Sequence, residues 1–213
     1  MSNGNYQETH ERILKSGLAA FLEEGFEKAN LRRICKAAGV TTGAFYKHFQ
    51  DKEALFSELV EPLASMIRKA YAQGEKRGFA GYDEGKPVTP EQVRAALEAK
   101  AAGTLATTAM LYSHRDIYEL LVFRSYGTPY EHFLDWLVDE EDRTTLRVLE
   151  LIHGAEKART VISKESLHIV NHAFYSALSE DNIHAKSVAE LNATTVVIST
   201  FFNAGWEKSA TLF

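Results

Sequence analysis

Cysteine is almost absent from the sequence: the 213 residues include only Cys35, so no disulfide bond can form within the chain. No apolar run comes near the roughly 18 residues that a membrane-spanning helix requires. The N-terminal segment, residues 1–10, is polar and lacks the apolar stretch of a secretory signal peptide. These absences predict a cytoplasmic protein in which Cys35 is a small core residue.

Motifs for enzymatic chemistry are missing as well. A glycine-rich stretch runs from Gly74 to Gly85 and ends at Pro87, but no strand pattern precedes it and no lysine-serine or lysine-threonine pair closes it. A phosphate-binding loop is thereby excluded, and we interpret the stretch as a flexible connection. No nucleophile motif and no helix with paired carboxylates appears elsewhere, so the sequence does not predict an enzyme.

A metal site is not indicated either. His168 and His172 stand four residues apart, the spacing at which two histidines of one helix bind zinc. No glutamate follows His168, and no third ligand occurs at a motif spacing. The sequence therefore predicts no metal and no cofactor, and we interpret the two histidines as pocket or surface residues.

Acidic residues outnumber basic residues in the whole chain, but basic residues are concentrated in one segment. The net charge is −5, whereas residues 28–52 contain six basic residues and one acidic residue, a local charge of +5. Such a division is typical of a DNA-contacting patch on an acidic protein. A solvated basic face accounts for the charge equally well, so charge alone does not decide between the two.

Apolar residues recur at spacings of three and four along most of the chain, which predicts an all-α fold of about nine helices. Asn30, Asp51 and Ser163 are candidate N-caps. Two threonine-proline pairs, Thr89-Pro90 and Thr128-Pro129, each have Gln or Glu at the third helical position and are interpreted as capping boxes. The second of these is predicted to begin a long helix.

The first 60 residues or so follow the order helix, helix, turn, helix that is typical of a helix-turn-helix domain. Gly39 falls in the turn, where a left-handed backbone is needed. The fourth helix is expected from Lys52 to about Tyr71. We therefore expect a DNA-binding domain at residues 1–50 and a larger helical domain for ligand binding and dimerisation at residues 51–213.

The third helix, expected from Thr42 to Phe49, can be oriented from its own residues. Phe45 and Phe49 lie four apart and are predicted to face the core, which leaves Gly43 and Lys47 exposed. A small, basic, donor-rich face suits the major groove and the phosphates beside it. The predicted DNA-binding residues are Arg32, Thr41, Thr42, Gly43, Ala44, Tyr46, Lys47, His48 and Lys52.

Residues 38–55, AGVTTGAFYKHFQDKEAL, closely resemble the signature of the TetR family of bacterial transcription regulators. The resemblance covers about residues 9–58. It implies the family fold, in which a small DNA-binding domain is joined to a larger helical domain that dimerises and often binds a small ligand. It also implies phosphate contacts by Tyr46, His48 and Lys52. The sequence departs from the family at Cys35, where alanine is usual, and at Ala44, which offers no side-chain donor to a base.

Aromatic residues of the larger domain either line an apolar pocket or simply fill the core. We predict an unidentified small-molecule effector that releases DNA by favouring a conformation whose recognition helices no longer match the groove spacing. The fourth helix is the expected lever. The candidate lining residues, chosen for size and position, are Tyr112, Tyr118, Phe123, Phe133, Trp136 and Tyr175.

The last helix has two adjacent apolar stripes, more apolar surface than burial against one neighbour needs. With the preceding helix it is predicted to form a homodimer interface around a two-fold axis. Two-fold symmetry implies a roughly palindromic operator of double-stranded DNA. The predicted interface residues are Phe174, Leu178, Leu191, Ile198, Phe201 and Phe202.

Together these observations predict a DNA-binding transcription regulator, a repressor that a small molecule releases from its operator. Two other classes were weighed. One is an adaptor or ligand-binding protein that keeps the fold without binding DNA, and the intact recognition segment argues against it. The other is an enzyme with a helical body, against which the missing catalytic motifs argue.

Overall fold

The structure is a computed structural model that describes residues 3–79 and 88–211, and all regular secondary structure in these ranges is helical. The all-α prediction is confirmed, with ten helices in the described residues instead of about nine. No helix there is long and apolar enough to cross a membrane. The helices are α1 (Asn3–Lys28), α2 (Leu31–Ala37), α3 (Thr42–Phe45), α4 (Lys52–Phe79), α5 (Pro90–Tyr112), α6 (Arg115–Phe123), α7 (Phe133–His153), α8 (Ala155–Val161), α9 (Lys164–His184) and α10 (Val188–Thr211).

Most of the predicted caps form. The Asn30 side chain accepts from the first backbone amides of α2, and the Asp51 carboxylate accepts from the amide of Ala54 at 2.7 Å. Thr89 makes the full capping box of α5, and Ser163 caps α9 through the amide of Ser166. Short-range hydrogen bonds of this kind depend on neighbouring residues alone, which is why the sequence indicates them.

The second predicted capping box is wrong. Residues 128–132 form turns, and α7 begins only at Phe133. The Glu131 carboxylate accepts from the amide of Gly127 at 3.0 Å, where a capping box would use the amide of Thr128. The Thr128 hydroxyl donates to the Ser125 carbonyl at 2.6 Å and accepts from the amide of Tyr130 at 3.1 Å, so the local contacts close a turn. The tenth helix, the seven-residue α8, was not predicted.

The predicted flexible connection is wrong in its first part, because α4 continues through Gly74 and Gly78 to Phe79. Each helical glycine costs about 1 kcal/mol relative to alanine. Contacts at the end of α4 oppose this cost: Arg143 donates to Glu75 at 2.6 Å, and the Arg147 guanidinium lies 4.1 Å from the centre of the Phe79 ring. Gly81, Gly85 and Pro87 lie outside the described residues.

The chain forms two compact units. The first consists of Met1–Arg68 and His114–Phe133, and the second of Lys69–Ser113 and Leu134–Phe213. In the first unit, the backbone amide of Phe26 in α1 donates to the carbonyl of Arg124, just after α6, at 2.9 Å. The predicted division at residue 50 separates the chain by function, whereas these units are defined by packing and place α6 with the N-terminal helices. The functional division therefore stays a prediction.

An aromatic core holds the first unit together. The Phe56 ring is fully buried and meets the rings of Phe21 and Phe26 edge-on, with centroids 5.2 and 5.3 Å away. Leu120 and Leu121 of α6 are also fully buried. In this way α6 closes a core that the helix-turn-helix segment alone lacks the residues to fill.

The second unit is built on α5, α9 and α10, which pack against one another. Part of this contact is polar: the Asn182 amide donates to the Thr108 carbonyl at 2.8 Å, and the hydroxyls of Thr195 and Thr108 lie 3.4 Å apart. All three residues are buried. Buried hydrogen bonds of this kind fix how helices align, because a shifted register would break them.

Candidate functional site

The helix-turn-helix segment is shaped by its own short-range contacts. Gly39 has a φ of 66° in the turn after α2, a conformation that glycine adopts without strain. The Thr41 hydroxyl accepts from the amide of Ala44 at 3.1 Å and so caps α3. The predicted turn is thereby confirmed, and it fixes the direction in which α3 leaves α2.

The predicted orientation of the recognition segment is confirmed. Phe45 and Phe49 are buried with ring centroids 5.5 Å apart, although the helix ends at Phe45 and residues 46–48 continue as turns. On the opposite side Thr41, Gly43, Tyr46 and Lys47 are exposed. We call these four residues the recognition face.

Gly43 is not required by packing within the protein. A Cβ added there would have its nearest neighbouring atom, the Thr41 hydroxyl oxygen, 3.9 Å away. The missing side chain therefore affects only the solvent-facing side of α3, where the backbone at Gly43 is not covered by a side chain. Thr42 and Ala44 beside it are half-buried, and Arg32 on α2 is exposed.

The local positive charge is smaller than the sequence suggests. The Arg33 guanidinium donates to Glu23 at 2.7 Å and also pairs with Glu24, so two carboxylates of α1 compensate it. Lys36 and Lys47 remain exposed in the same segment. The positive potential is therefore concentrated on fewer side chains than the six basic residues counted in the sequence.

His48 is half-buried in a row of rings rather than fully exposed. Its ring stacks on Tyr6 of α1 at a centroid distance of 4.1 Å and lies 5.5 Å from the ring of His10. Burial, with smaller effects of His10 and Lys47, lowers the pKa of His48 and keeps the ring neutral at pH 7. The buried Nδ1 has no hydrogen-bond partner among the described residues. The proton is thus better placed on Nε2, which can donate to an acceptor outside the protein.

Tyr6 is a neighbour of the recognition segment that the sequence analysis missed. Its hydroxyl donates to the Lys47 carbonyl at 3.4 Å, and its ring is half-exposed beside His48. The hydrogen bond joins the start of α1 to a residue 41 positions away in sequence. No sequence spacing indicates such a contact, because it depends on how α1 crosses the motif.

Lys52 has a different environment from the one the sequence implied. Its ammonium donates to the carbonyls of Phe26, Ala29 and Glu27 at 2.6, 3.1 and 3.2 Å, and lies 4.3 Å from the centre of the Phe26 ring. All three carbonyls follow Gly25, whose φ of 74° and ψ of 163° break the helical path of α1 near its end. The phosphate contact of Lys52 stays a prediction, and it would have to compete with these hydrogen bonds.

The position of Lys52 predicts a stability effect. Lys52→Met keeps the length of the side chain but removes a charged donor from three carbonyls, and should lower the free energy of unfolding by about 1.5–3 kcal/mol. Urea unfolding followed by circular dichroism measures the change. Lys36→Met, which removes the same charge from an exposed position of α2, is the matched control. Equal midpoints for the two variants would contradict the capping role.

The six predicted ligand-lining residues are divided between the two units. Tyr118, Phe123 and Phe133 belong to the first unit, whereas Tyr112, Trp136 and Tyr175 belong to the second. Phe123 is partly exposed and Tyr118 is buried. Trp136 and Tyr175 of the second unit share a neighbour, Tyr71: the Trp136 ring lies 6.2 Å from the Tyr71 ring, and the two tyrosine hydroxyls lie 3.2 Å apart.

Beside Tyr175 lies a buried carboxylate, Glu141, that the sequence analysis missed. It accepts from the hydroxyls of Tyr71 at 2.6 Å, Tyr175 at 3.1 Å and Thr145 at 3.2 Å, and pairs with the ammonium of Lys100. We call Glu141, Lys100, Tyr71 and Tyr175 the Glu141 cluster. Its residues come from four helices of the second unit, a grouping that no local pattern indicates.

The protonation states within the Glu141 cluster follow from burial and charge. Burial alone would raise the pKa of Glu141. The Lys100 ammonium and the hydroxyl donors together lower the pKa by more than burial raises it, so it lies below the ordinary value. Burial and then the carboxylate raise the pKa of Tyr71 and of Tyr175 far above the usual range. The cluster therefore holds an ionised carboxylate and two neutral hydroxyl donors.

Three of the predicted dimer residues are buried within the second unit itself. Phe174, Leu178 and Leu191 expose less than a tenth of their surface, and the Phe202 ring meets Phe174 edge-on at 5.1 Å. Phe201 differs, because 73% of its surface is exposed. Ile198 is half-buried. Other exposed apolar residues that the list omitted are Ile169, Val196 and Val197.

His168 has acidic neighbours that its own helix does not supply. Its Nδ1 lies 2.8 Å from Asp142 and 4.0 Å from Asp139, both on α7, and the buried Asn171 donates to Asp142 at 2.7 Å. The three ionisable side chains are partly or fully exposed and bring their ligand atoms within 4.8 Å of one another. A surface ion pair accounts for this arrangement, and the expectation of no metal stays a prediction.

Comparison with known proteins agrees with the helix-turn-helix geometry. Residues 13–59 match the family described as bacterial regulatory proteins, tetR family. A 61-residue stretch, 29% of this chain, is 51% identical to the transcriptional regulator AcrR of Shigella flexneri. An 81-residue stretch is 32% identical to a transcriptional repressor of Mycobacterium tuberculosis. The matches span only 28% and 42% of those two relatives.

Solved structures resemble the chain over most of its length. A transcriptional regulator from Aquifex aeolicus is 20% identical with a TM-score of 0.54, and the match covers 91% of this chain and 99% of that one. NalD of Pseudomonas aeruginosa, a secondary repressor of a multidrug efflux pump, is 20% identical with a TM-score of 0.52, covering 93% and 97%. At this identity the likeness concerns the fold, which these all-helical proteins share.

Proposed function

Residues 13–59 are a helix-turn-helix domain of the tetR family of bacterial regulatory proteins, and from this premise we propose that the chain is a DNA-binding transcription regulator. The observation that carries the proposal is the recognition face, which is exposed, small and basic on the side opposite Phe45 and Phe49. Such a face fits the major groove. The chain acts as a repressor in this proposal, as the named relatives that are repressors do.

Within the interface, the proposed roles follow from exposure. Thr41 and Lys47 are exposed and reach base edges, with Thr42 and Ala44 beside them against the thymine methyl groups. Tyr46, Arg32 and the Nε2 proton of His48 contact phosphates, and the bare backbone at Gly43 allows close approach. Lys52 supports the end of α1, so replacing it would also weaken DNA binding indirectly, through the structure of the domain.

A gel-shift assay with fragments from around the protein's own gene tests the proposal. The protein should retard one fragment at low salt in the presence of competitor DNA, and its affinity should fall linearly on a log–log plot as salt rises. An absence of binding to any duplex at low salt would refute DNA binding. The adaptor alternative would then be favoured, because it keeps the fold without the interface.

Lys47→Ala is predicted to weaken operator binding and to change the preference among operator variants. The reason is that a side chain contacting base edges contributes about 1–3 kcal/mol of discrimination at one position. Competition gel shifts with a set of single-base operator variants measure it. Lys15→Ala, which removes the same charge from an exposed position of α1, is the control. A uniform loss across all variants would indicate a phosphate contact and contradict the base-reading role.

The proposed regulator is a homodimer that binds a roughly palindromic operator. Phe201 and Val197 of α10 expose 73% and 67% of their surface, and Ile169 of the adjacent α9 exposes 67%. Exposed apolar surface on two neighbouring helices supports burial against a second copy of the chain. The interface is then centred on these residues, while Phe174, Leu178 and Leu191 support it from inside the unit.

The proposed regulator also responds to a small-molecule effector bound in the second unit. An effector can weaken operator binding only through differential affinity for two conformations, and a coupling of about 1–3 kcal/mol corresponds to about 5- to 150-fold. Among the six aromatic candidates, the shared contact with Tyr71 supports Trp136 and Tyr175 as neighbours of one site in the second unit. Acting on chromosomal DNA, the protein would work in the cytoplasm.

A further inference from the structure

Two histidines of α9 lie beside two carboxylates of α7 in the second unit. The rings of His168 and His172 are 6.2 Å apart, and His168 Nδ1 lies 2.8 Å from Asp142 and 4.0 Å from Asp139. The histidines are spaced by four residues and the aspartates by three, so each pair projects from one side of its helix. Two imidazoles and two carboxylates therefore come from neighbouring helices.

The distances between these side chains suit a single metal ion. The ligand atoms of Asp139, Asp142 and His168 all lie within 4.8 Å of one another. Ligands bound to zinc at about 2.0–2.2 Å lie about 3.3 Å apart in a tetrahedron. The two distances at His168, 2.8 and 4.0 Å, fall on either side of that value. Small side-chain rotations would bring the three ligands onto one ion, with His172 as the fourth.

Two of the ligands are oriented by further hydrogen bonds, as metal ligands usually are. The Asn171 amide, which is buried, donates to Oδ1 of Asp142 at 2.7 Å and leaves Oδ2 directed at His168. Nδ1 of His172 lies 3.2 Å from the Ser176 hydroxyl oxygen. With the Nδ1 proton donated to Ser176, Nε2 of His172 presents the lone pair that a metal ion binds.

An ion pair between His168 and Asp142 uses only part of this arrangement. Asp139 brings a second negative charge to the same ring, and like charges one turn apart on a helix repel each other. A divalent cation compensates both carboxylates and binds both imidazoles. The Asp139 side chain is 73% exposed and that of His168 44%, so an ion can reach them from solvent.

We propose that Asp139, Asp142, His168 and His172 form a binding site for a divalent transition-metal ion, with zinc as the ion that fits best. Imidazole nitrogen favours transition metals over magnesium and calcium, and four ligands suit the tetrahedral preference of zinc. The bound ion links α7 to α9. This inference reverses the expectation of no metal, which rested on the spacing along one helix, and it does not depend on DNA binding.

Calorimetry with zinc chloride and the metal-free protein, prepared with a chelator that is then removed, tests the site. The wild type should bind one ion per chain at these residues. Asp142→Asn and His168→Gln should each weaken this binding by about 100-fold or more, because losing a ligand should cost more than the 10- to 100-fold effect of losing a supporting hydrogen bond. Asn171→Leu removes only such a hydrogen bond and should weaken binding by about 10-fold or more.

His184→Gln is the matched control, since His184 ends the same helix and its side chain is 74% exposed. This variant should bind zinc as the wild type does. Thermal unfolding provides a second measurement: zinc should raise the melting temperature of the wild type and of His184→Gln, but not that of Asp142→Asn. Magnesium should have little effect at the same concentration, because it prefers six oxygen ligands.

Three results would overturn the inference. Zinc binding that is equally strong in Asp142→Asn and His168→Gln would place the ion at other side chains. An equal response to magnesium would indicate attraction to acidic surface charge alone. A wild type that does not respond to zinc, combined with a lower melting temperature of metal-free Asp142→Asn, would identify the arrangement as a structural ion pair only.

Discussion

Replacing Phe201 with glutamate should convert the proposed dimer into a monomer and weaken operator binding by about 100-fold or more. Phe201 exposes 73% of its surface in the single chain, so the substitution leaves the fold of its own unit intact. Burying a carboxylate in an apolar interface is strongly unfavourable without a partner. A monomer also loses the advantage of two linked half-site contacts, which is worth about 10²–10⁴ in apparent affinity.

Sedimentation velocity and the gel shift together measure this effect. Phe201→Leu is the control, since it keeps an apolar side chain of similar reach and should leave the dimer and the DNA affinity nearly unchanged. Circular dichroism should give the same helix content for both variants. A wild-type protein that sediments as a monomer at micromolar concentration would contradict the dimer, as would a Phe201→Glu variant that remains dimeric.

Phe56→Ala should unfold most of the first unit. Phe56 is fully buried between Phe21 and Phe26, and its ring lies 6.3 Å from that of Tyr130. Truncating a buried phenylalanine costs about 3–5 kcal/mol, a large part of the 5–15 kcal/mol that stabilises an ordinary domain. Because the recognition segment is held by this core, operator binding should disappear with the fold.

Urea unfolding followed by circular dichroism should show an early transition for Phe56→Ala that the wild type lacks. Tyr46→Ala is the matched aromatic control, because Tyr46 is 56% exposed and its loss should change stability by no more than about 0.5 kcal/mol. It should nevertheless reduce DNA binding, which separates contact with DNA from folding. A Phe56→Ala variant as stable as Tyr46→Ala would disprove the central position of the aromatic core.

The sequence by itself determined the helix-turn-helix domain and most helix starts. Asn30, Thr41 and Gly39 act through hydrogen bonds and backbone preferences within a few residues, so their effect is visible without the fold. The four-residue spacing of Phe45 and Phe49 likewise fixes which face is buried and which is exposed. The recognition face was predictable because one short segment contains both the core residues and the surface residues.

Tertiary structure decided what depends on residues far apart in the chain. It continued α4 through Gly74 and Gly78, where side-chain contacts of Glu75 and Phe79 oppose the low helix propensity of glycine. It directed the Lys52 ammonium to the end of α1, and it buried Phe174, Leu178 and Leu191 while leaving Phe201 exposed.

The Glu141 cluster shows most clearly why contacts between distant residues could not be predicted from the sequence. Tyr71, Lys100 and Tyr175 lie 70, 41 and 34 residues away from Glu141 in sequence, and each is unremarkable on its own helix. Periodicity reports only whether a side chain faces inward. Which inward-facing groups meet depends on how helices cross, and that is set by the packing and hydrogen bonding of the whole unit.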